Sequence, residues 1–200
     1  FHLLRRQAML LERDPLPLIV LTPKSLLRNP AVASTPRELE EGRFQSVLDD
    51  GDMRARAKSV KRVVLCSGKV AIDLLTSDRR AAAKDVAIVR VEQLYPFPEV
   101  ALAEVLSAYS SVNDVVWLQE EPENMGAWDF MRPLLQEMIG DRPLRYIGRA
   151  RSASPSEGSA AWHQMNQRAL IEQAFGMDVS APAHSMVKSK AVRTLTAAKR

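Results

Sequence analysis

The residues with the most chemical potential in this chain lie in a few short segments. Cys66-Ser67-Gly68-Lys69 sets a small residue and a glycine before a lysine in the first turn of an expected helix, a place where backbone N–H groups can meet a phosphate or carboxylate. It is not a Walker loop, because the upstream glycine of that motif is missing. Thr22-Pro23-Lys24-Ser25-Leu26-Leu27-Arg28 and Gly148-Arg149-Ala150-Arg151-Ser152-Ala153-Ser154-Pro155 each place cations beside hydroxyl side chains after an expected strand. α/β proteins present ligand-facing groups at such strand ends. Each of these cations also has a simpler reading, as a solvated loop residue or the partner of a nearby carboxylate.

Glu120, Glu121 and Glu123 crowd one loop, and paired carboxylates do acid–base work when their surroundings split their pKa values. No nucleophile or ligand set accompanies them in sequence, so helix capping or pairing with the cationic loops competes with catalysis, and Trp128 beside them reads as a packing or interface residue. Cys66 ends an apolar run and reads as a small core residue before it reads as a nucleophile. His2, His163 and His184 have no metal-ligand spacing, and a lone cysteine excludes a disulfide framework or a multi-cysteine metal site. Tyr95-Pro96-Phe97-Pro98 is a rigid aromatic turn suited to local packing or to subunit contact.

Positioning these residues requires a scaffold, and the hydrophobic pattern supplies one. Strands are expected at 18–22 (LIVLT, apolar enough for burial on both faces), 60–67, 86–91, 114–119 and 144–149. Helices are expected at 2–12, from 69 after Gly68, after Pro98, around 127–138 and at about 159–175, with Gly176 as the stop of the last. Residues 29–59 read as a long polar connection. Alternating strands and helices imply an α/β fold of about five strands in a mainly parallel sheet flanked by helices.

The chain has 200 residues, and its 28 Lys and Arg against 24 Asp and Glu give a net charge of +4. A pI near 9.4 invites a nucleic-acid or membrane reading. The charge is not where such a reading needs it. Five basic residues and no acidic one lie in 179–200, which leaves a net of −1 for the rest. Residues 177–200 are therefore expected to be a basic, flexible tail, and neither nucleic acid nor a membrane span is expected as a partner. The first residue is Phe, so the chain is expected to be a piece of something longer.

In order, HLLRRQ, PLIVLTPKSLLR, GRFQSVLDD, VKRVVLCSGKV, DVAIVRVEQLYPFP, VWLQEEPENMGAW and LRYIGRARSASPSEGSAAWHQMNQRALIEQAF form a pattern. It resembles the carboxy-terminal domain of the thiamine-diphosphate-dependent component of the 2-oxoglutarate dehydrogenase complex, over residues 1–176. A related 2-oxoadipate component shares this domain. The resemblance implies a transketolase-type carboxy-terminal domain within a larger homodimeric chain. The whole enzyme decarboxylates 2-oxoglutarate on thiamine diphosphate and passes succinyl to a lipoyl-bearing succinyltransferase. It implies that thiamine diphosphate and magnesium are held by preceding domains. Gly51-Asp52-Met53 lacks the second glycine of the family's magnesium motif, so no catalytic, cofactor or metal residue is assigned here. The isolated chain is then expected to be inactive, as a fragment, truncated product or split subunit. Some family members are regulated by a CoA ester or adenine nucleotide, and Arg28, Lys69, Gln119 and Arg149 are the candidate contacts for acetyl-CoA or AMP. The resemblance places the protein in the bacterial cytoplasm, or in the mitochondrial matrix of a eukaryote. A stand-alone binding module or a purely structural role is the alternative.

Overall fold

A computed structural model of the chain describes residues 1–10 and 17–177. In chain order the elements are α1 (His2–Leu10), α2 (Pro36–Glu41), β1 (Val47–Leu48), α3 (Gly51–Arg54), β2 (Arg62–Cys66), α4 (Lys69–Leu75), β3 (Val86–Val91), α5 (Glu99–Ala108), β4 (Asp114–Pro122), α6 (Trp128–Ile139), β5 (Leu144–Arg149) and α7 (Ala160–Ala174). One five-stranded sheet runs in the order β1-β3-β2-β4-β5, parallel throughout except for β1, which pairs antiparallel with β3.

Strand alternation sorts the side chains into two cores. Val63, Leu65, Val89, Val115 and Trp117 face α5 and α6, meeting Leu102, Leu106, Met131 and Leu135. Val64, Cys66, Ile88, Val116 and Leu118 face the other way, against Val70 and Leu74 of α4 and Leu170 and Ala174 of α7. The sheet is thus covered on both sides, and the apolar runs of β2, β3 and β4 lie buried on both faces.

The first expected strand is not there. Residues 17–23 form no regular element, and Ile19, Val20 and Leu21 are 80%, 57% and 92% exposed. The composition suits a strand, but a strand needs a neighbour, and among the described residues this segment has none. The fifth strand comes instead from the expected connection at 29–59. There Thr35 and Glu38 form a reciprocal capping box that starts α2, and Val47 and Leu48 pair with Val91 and Arg90. Asp50 fixes this edge: it caps α3 through Met53 N–H at 3.2 Å and accepts from Arg80 Nη2 at 2.5 Å and Ile88 N–H at 3.2 Å.

At the far end of the chain, Gly176 stops α7 as expected. Its φ of +78° allows its N–H to reach Gln173 O and lets Met177 N–H reach Glu172 O, both at 3.0 Å. Arg62 braces the same terminus, donating from Nη1 to Gln173 O at 2.9 Å and from Nε to Asp114 Oδ2 at 2.6 Å. The expected tail at 177–200 lies, apart from Met177, outside the described residues.

Candidate functional site

β2, β3, β4 and β5 all end on one edge of the sheet, where the connections after β2, β4 and β5 gather the candidate residues. In the order of strands, chain direction reverses its lateral course between β2 and β4. A crevice is expected outside the carboxyl ends of those two strands. A pocket of about 410 Å³ lies there, lined by Ser67, Gly68, Trp117, Gln119, Glu121 and Phe130 among others.

Lys69 stands at the start of α4, beyond β2. Its ammonium pairs with Asp73 and lies 3.4 Å from Glu120 Oε1. Burial alone would lower its pKa, but the Asp73 and Glu120 carboxylates outweigh burial and hold it above the ordinary lysine value. Gln167 of α7 donates from Nε2 to both acids at 2.8 Å, and its Oε1 is buried without a hydrogen-bond partner among the described residues. The anion reading of Ser67-Gly68-Lys69 therefore meets a lysine already committed to two carboxylates. Gly68 adopts φ +73°, so the backbone turn itself calls for glycine there.

Gln119 is only 4% exposed. Its Oε1 accepts from Trp117 Nε1 at 3.0 Å, and its Nε2 donates to Met125 O at 2.7 Å and Pro122 O at 3.2 Å. The side chain organises the loop after β4 from below.

Arg149 ends β5 and heads the serine-rich loop toward α7. Its Nε lies 2.9 Å from Glu157 Oε1, and Nη2 is 3.0 Å from His163 Nδ1. Burial would raise the Glu157 carboxyl, but bonds from Asn166 and its own backbone, with Arg149 and His163 close by, hold it below the usual carboxylate range. A cleft of about 550 Å³ opens here, lined by Arg149, Arg151, Ser152, Ser154, Trp162 and Asn166 among others. The cleft brings a cation, hydroxyls and an aromatic ring together in one concavity, with the Glu157 carboxylate in the same lining.

Lys24, Ser25 and Arg28 do not join this group as expected. With no strand at 18–22 there is no strand end for them to follow, and all three side chains are exposed. Within the acidic cluster the Glu120 carboxylate pairs with Lys69, whereas Glu121 and Glu123 are tied through their backbones: the Glu121 carbonyl accepts from Tyr146 Oη at 3.0 Å, and Glu123 N–H donates to Arg149 O. Cys66 is fully buried, and burial pushes its thiol up to about 12. Sequence reasoning missed Asp73, Glu157 and Gln167. Asp73, four residues after Lys69 on the expected helix, was legible as an i,i+4 partner. Gln167 and Glu157 gave no local signal.

Residues 33–175 match the model of the family described as 2-oxoglutarate dehydrogenase C-terminal. The chain belongs to that family. It is similar to the 2-oxoglutarate dehydrogenase E1 component of Cupriavidus necator, at 46% identity over 176 residues, covering 88% of this chain and 18% of that protein. The E1 components of Shouchella clausii and of Bacillus cereus strain AH820 are 44% and 43% identical, each over 88% of this chain and 19% of theirs. The chain thus spans about a fifth of the length of the curated relatives it matches.

Thiamine enzymes hold their cofactor through a magnesium diphosphate, which calls for converging oxygen donors. Among the described residues no group of three His, Cys, Asp or Glu is placed to hold a metal ion. Beside Gly51-Asp52-Met53, Asp49 is bound to Tyr109 and Arg54, and Asp50 to Arg80. No described helix is long and apolar enough to cross a membrane.

Proposed function

We propose that this chain is the carboxy-terminal portion of the decarboxylating E1 component of a 2-oxoglutarate dehydrogenase complex. The observation that carries this reading is the family match over 33–175, together with 43–46% identity to proteins named as that component. On this reading the whole enzyme releases carbon dioxide from 2-oxoglutarate and passes succinyl to a lipoyl-bearing succinyltransferase, in the citric acid cycle of a bacterial cytoplasm. Thiamine diphosphate, held with magnesium by the preceding domains, supplies the nucleophilic carbon and the electron sink for decarboxylation. The described residues take no part in that step. Their role is to complete the homodimer and to pack against the cofactor-binding domains. The test joins this chain to its preceding region and follows carbon dioxide release with thiamine diphosphate and magnesium. Release from 2-oxoglutarate by the joined protein, and none by the 200-residue chain alone, is expected. A joined protein that prefers 2-oxoadipate, or is inert, overturns the assignment.

A regulatory role for the same domain is favoured by the cleft at Arg149 and Arg151. It offers a cation, serine hydroxyls and the Trp162 ring to a phosphate-bearing nucleotide such as AMP, or to acetyl-CoA. Titration calorimetry with both compounds tests it, and silence with both removes the site.

A further inference from the structure

Leu18-Ile19-Val20-Leu21-Thr22 has the make-up of an inner strand and the surroundings of none. In an extended chain Leu18 and Val20 face one way and Ile19 and Leu21 the other, so both faces are apolar. Such a strand belongs inside a sheet covered on both sides, and left open it invites aggregation. Yet Ile19 and Leu21 are among the most exposed large apolar side chains described, and no backbone group of 18–22 bonds to another described backbone group. The domain's own sheet does not take the segment. β1 occupies one edge, and the other is β5, whose only ladder partner among the described residues is β4.

α1 shares this condition. Its described ties to the domain are polar or cationic: His2 Nε2 lies 2.7 Å from Glu38 O, Arg6 Nη1 donates to Gln93 Oε1 at 3.0 Å, and the Arg6 guanidinium sits 5.3 Å from the Phe44 ring centre. Leu3 and Leu4 stay open to solvent. A helix followed by an apolar strand-length run is the repeating unit of an α/β domain. Here that unit is complete in sequence but has no sheet. The family match begins only at residue 33, beyond it, and the relatives are about five times longer than the chain.

We propose that α1 and residues 18–22 are the closing helix and strand of a separate α/β domain, one that precedes this domain in the longer protein. Residues 18–22 are an inner, parallel strand of that domain's sheet, α1 covers one face of it, and 23–32 are the link. Pro17 and Pro23 bracket the run and end its ladder on both sides. This rests on the reading of the chain as a carboxy-terminal portion, and not on the reaction assigned to the whole.

Amide hydrogen exchange, on the 200-residue chain and on the chain joined to its preceding region, tests the assignment. In the chain alone, amides 19–22 exchange freely while those of β2 and β4 are protected. In the joined protein 19–22 slow by about 100-fold or more. Val20→Pro, which removes one ladder donor, leaves the thermal midpoint of the chain alone unchanged and lowers that of the joined protein. Fast exchange at 19–22 in a joined protein that folds and releases carbon dioxide overturns the strand and leaves the proposed function standing. Protection that appears in the chain alone and grows with its concentration gives the strand to a second copy, and also overturns the proposal. Protection in a joined protein without decarboxylation supports the strand and removes only the reaction.

Discussion

Trp117 and Gln119, two residues apart on β4, are joined side chain to side chain: the indole Nε1 donates to the carboxamide Oε1 at 3.0 Å in the buried edge of the sheet. Replacing Gln119 with Leu strands the indole N–H and the Met125 carbonyl together, while the Pro122 carbonyl keeps the Met125 N–H at 2.8 Å. Each buried group left unmet costs about 1–3 kcal/mol. A loss of about 3 kcal/mol in urea unfolding is expected, with the Trp117 emission altered in the native state. A change below about 0.5 kcal/mol would show that water replaces both bonds.

Lys69 neutralises a pair of acids that would otherwise repel. Lys69→Met leaves Asp73 and Glu120 bound to Gln167 but without a cation, and removing one partner of such a cluster costs about 3 kcal/mol when it is buried and less here, where the side chains are partly exposed. The two carboxylates hold the Lys69 pKa above the ordinary lysine value, so the deficit is complete at neutral pH and shrinks only as pH rises beyond about 10.5. Urea midpoints of wild type and variant from about pH 7 to about pH 11 check the trend. A gap that widens toward alkali contradicts the pairing.

Glu157 competes with any anion for Arg149, since it lies 2.9 Å from the guanidinium. Glu157→Gln removes that competition. If the cleft binds AMP, the variant binds it about tenfold more tightly and Arg149→Ala about tenfold more weakly, by calorimetry. Equal affinities in wild type and both variants place binding elsewhere.

Cys66 is inert in the folded chain. Its thiol is fully buried and pushed up to about 12 by burial, so a disulfide reagent reacts only as fast as the sheet opens. Stoichiometric labelling in denaturant and none over an hour in native buffer are expected. Rapid native labelling would mean that β2 is accessible.

Asp114 links β2 and β5 through Arg62 and Arg145, and its carboxyl sits below the usual carboxylate range: burial works against this, but the two guanidiniums outweigh it. The native state therefore releases this proton more readily than the unfolded chain. The stabilisation is complete above the unfolded value of about 4 and disappears as pH falls through the native value. Stability of Asp114→Asn is expected to fall less steeply below about pH 4 than that of wild type. Parallel acid limbs in the two urea–pH series would remove Asp114 from the acid response.

The parallel strands were legible because β2, β3 and β4 are continuous apolar runs separated by helical spacing. β1 was not, since a strand of two residues carries no period, and its pairing depends on Asp50 reaching Arg80 and Ile88 across the fold. The Thr35–Glu38 capping box of α2 is local in sequence but sits inside a stretch whose composition reads as a connection. At the site, strand ends could be placed from sequence, but the partners of their cations could not. Gln167 meets Glu120 from 47 positions away, and Arg149 meets Glu157 only because a loop folds back over it. Side-chain pairing of that kind is a property of the packed chain.

The strand order also sets how this domain comes together in time. β2 sits at the centre, and its partner on one side, β4, is 52 positions away at Arg62–Asp114. That pairing closes a long loop before the central ladder repays the lost entropy, so the sheet assembles outward from a late middle rather than from a local hairpin. A chain emerging from the ribosome therefore holds β2 unpaired on one flank until α5 and β4 have been made, although both neighbours of β3 are already present.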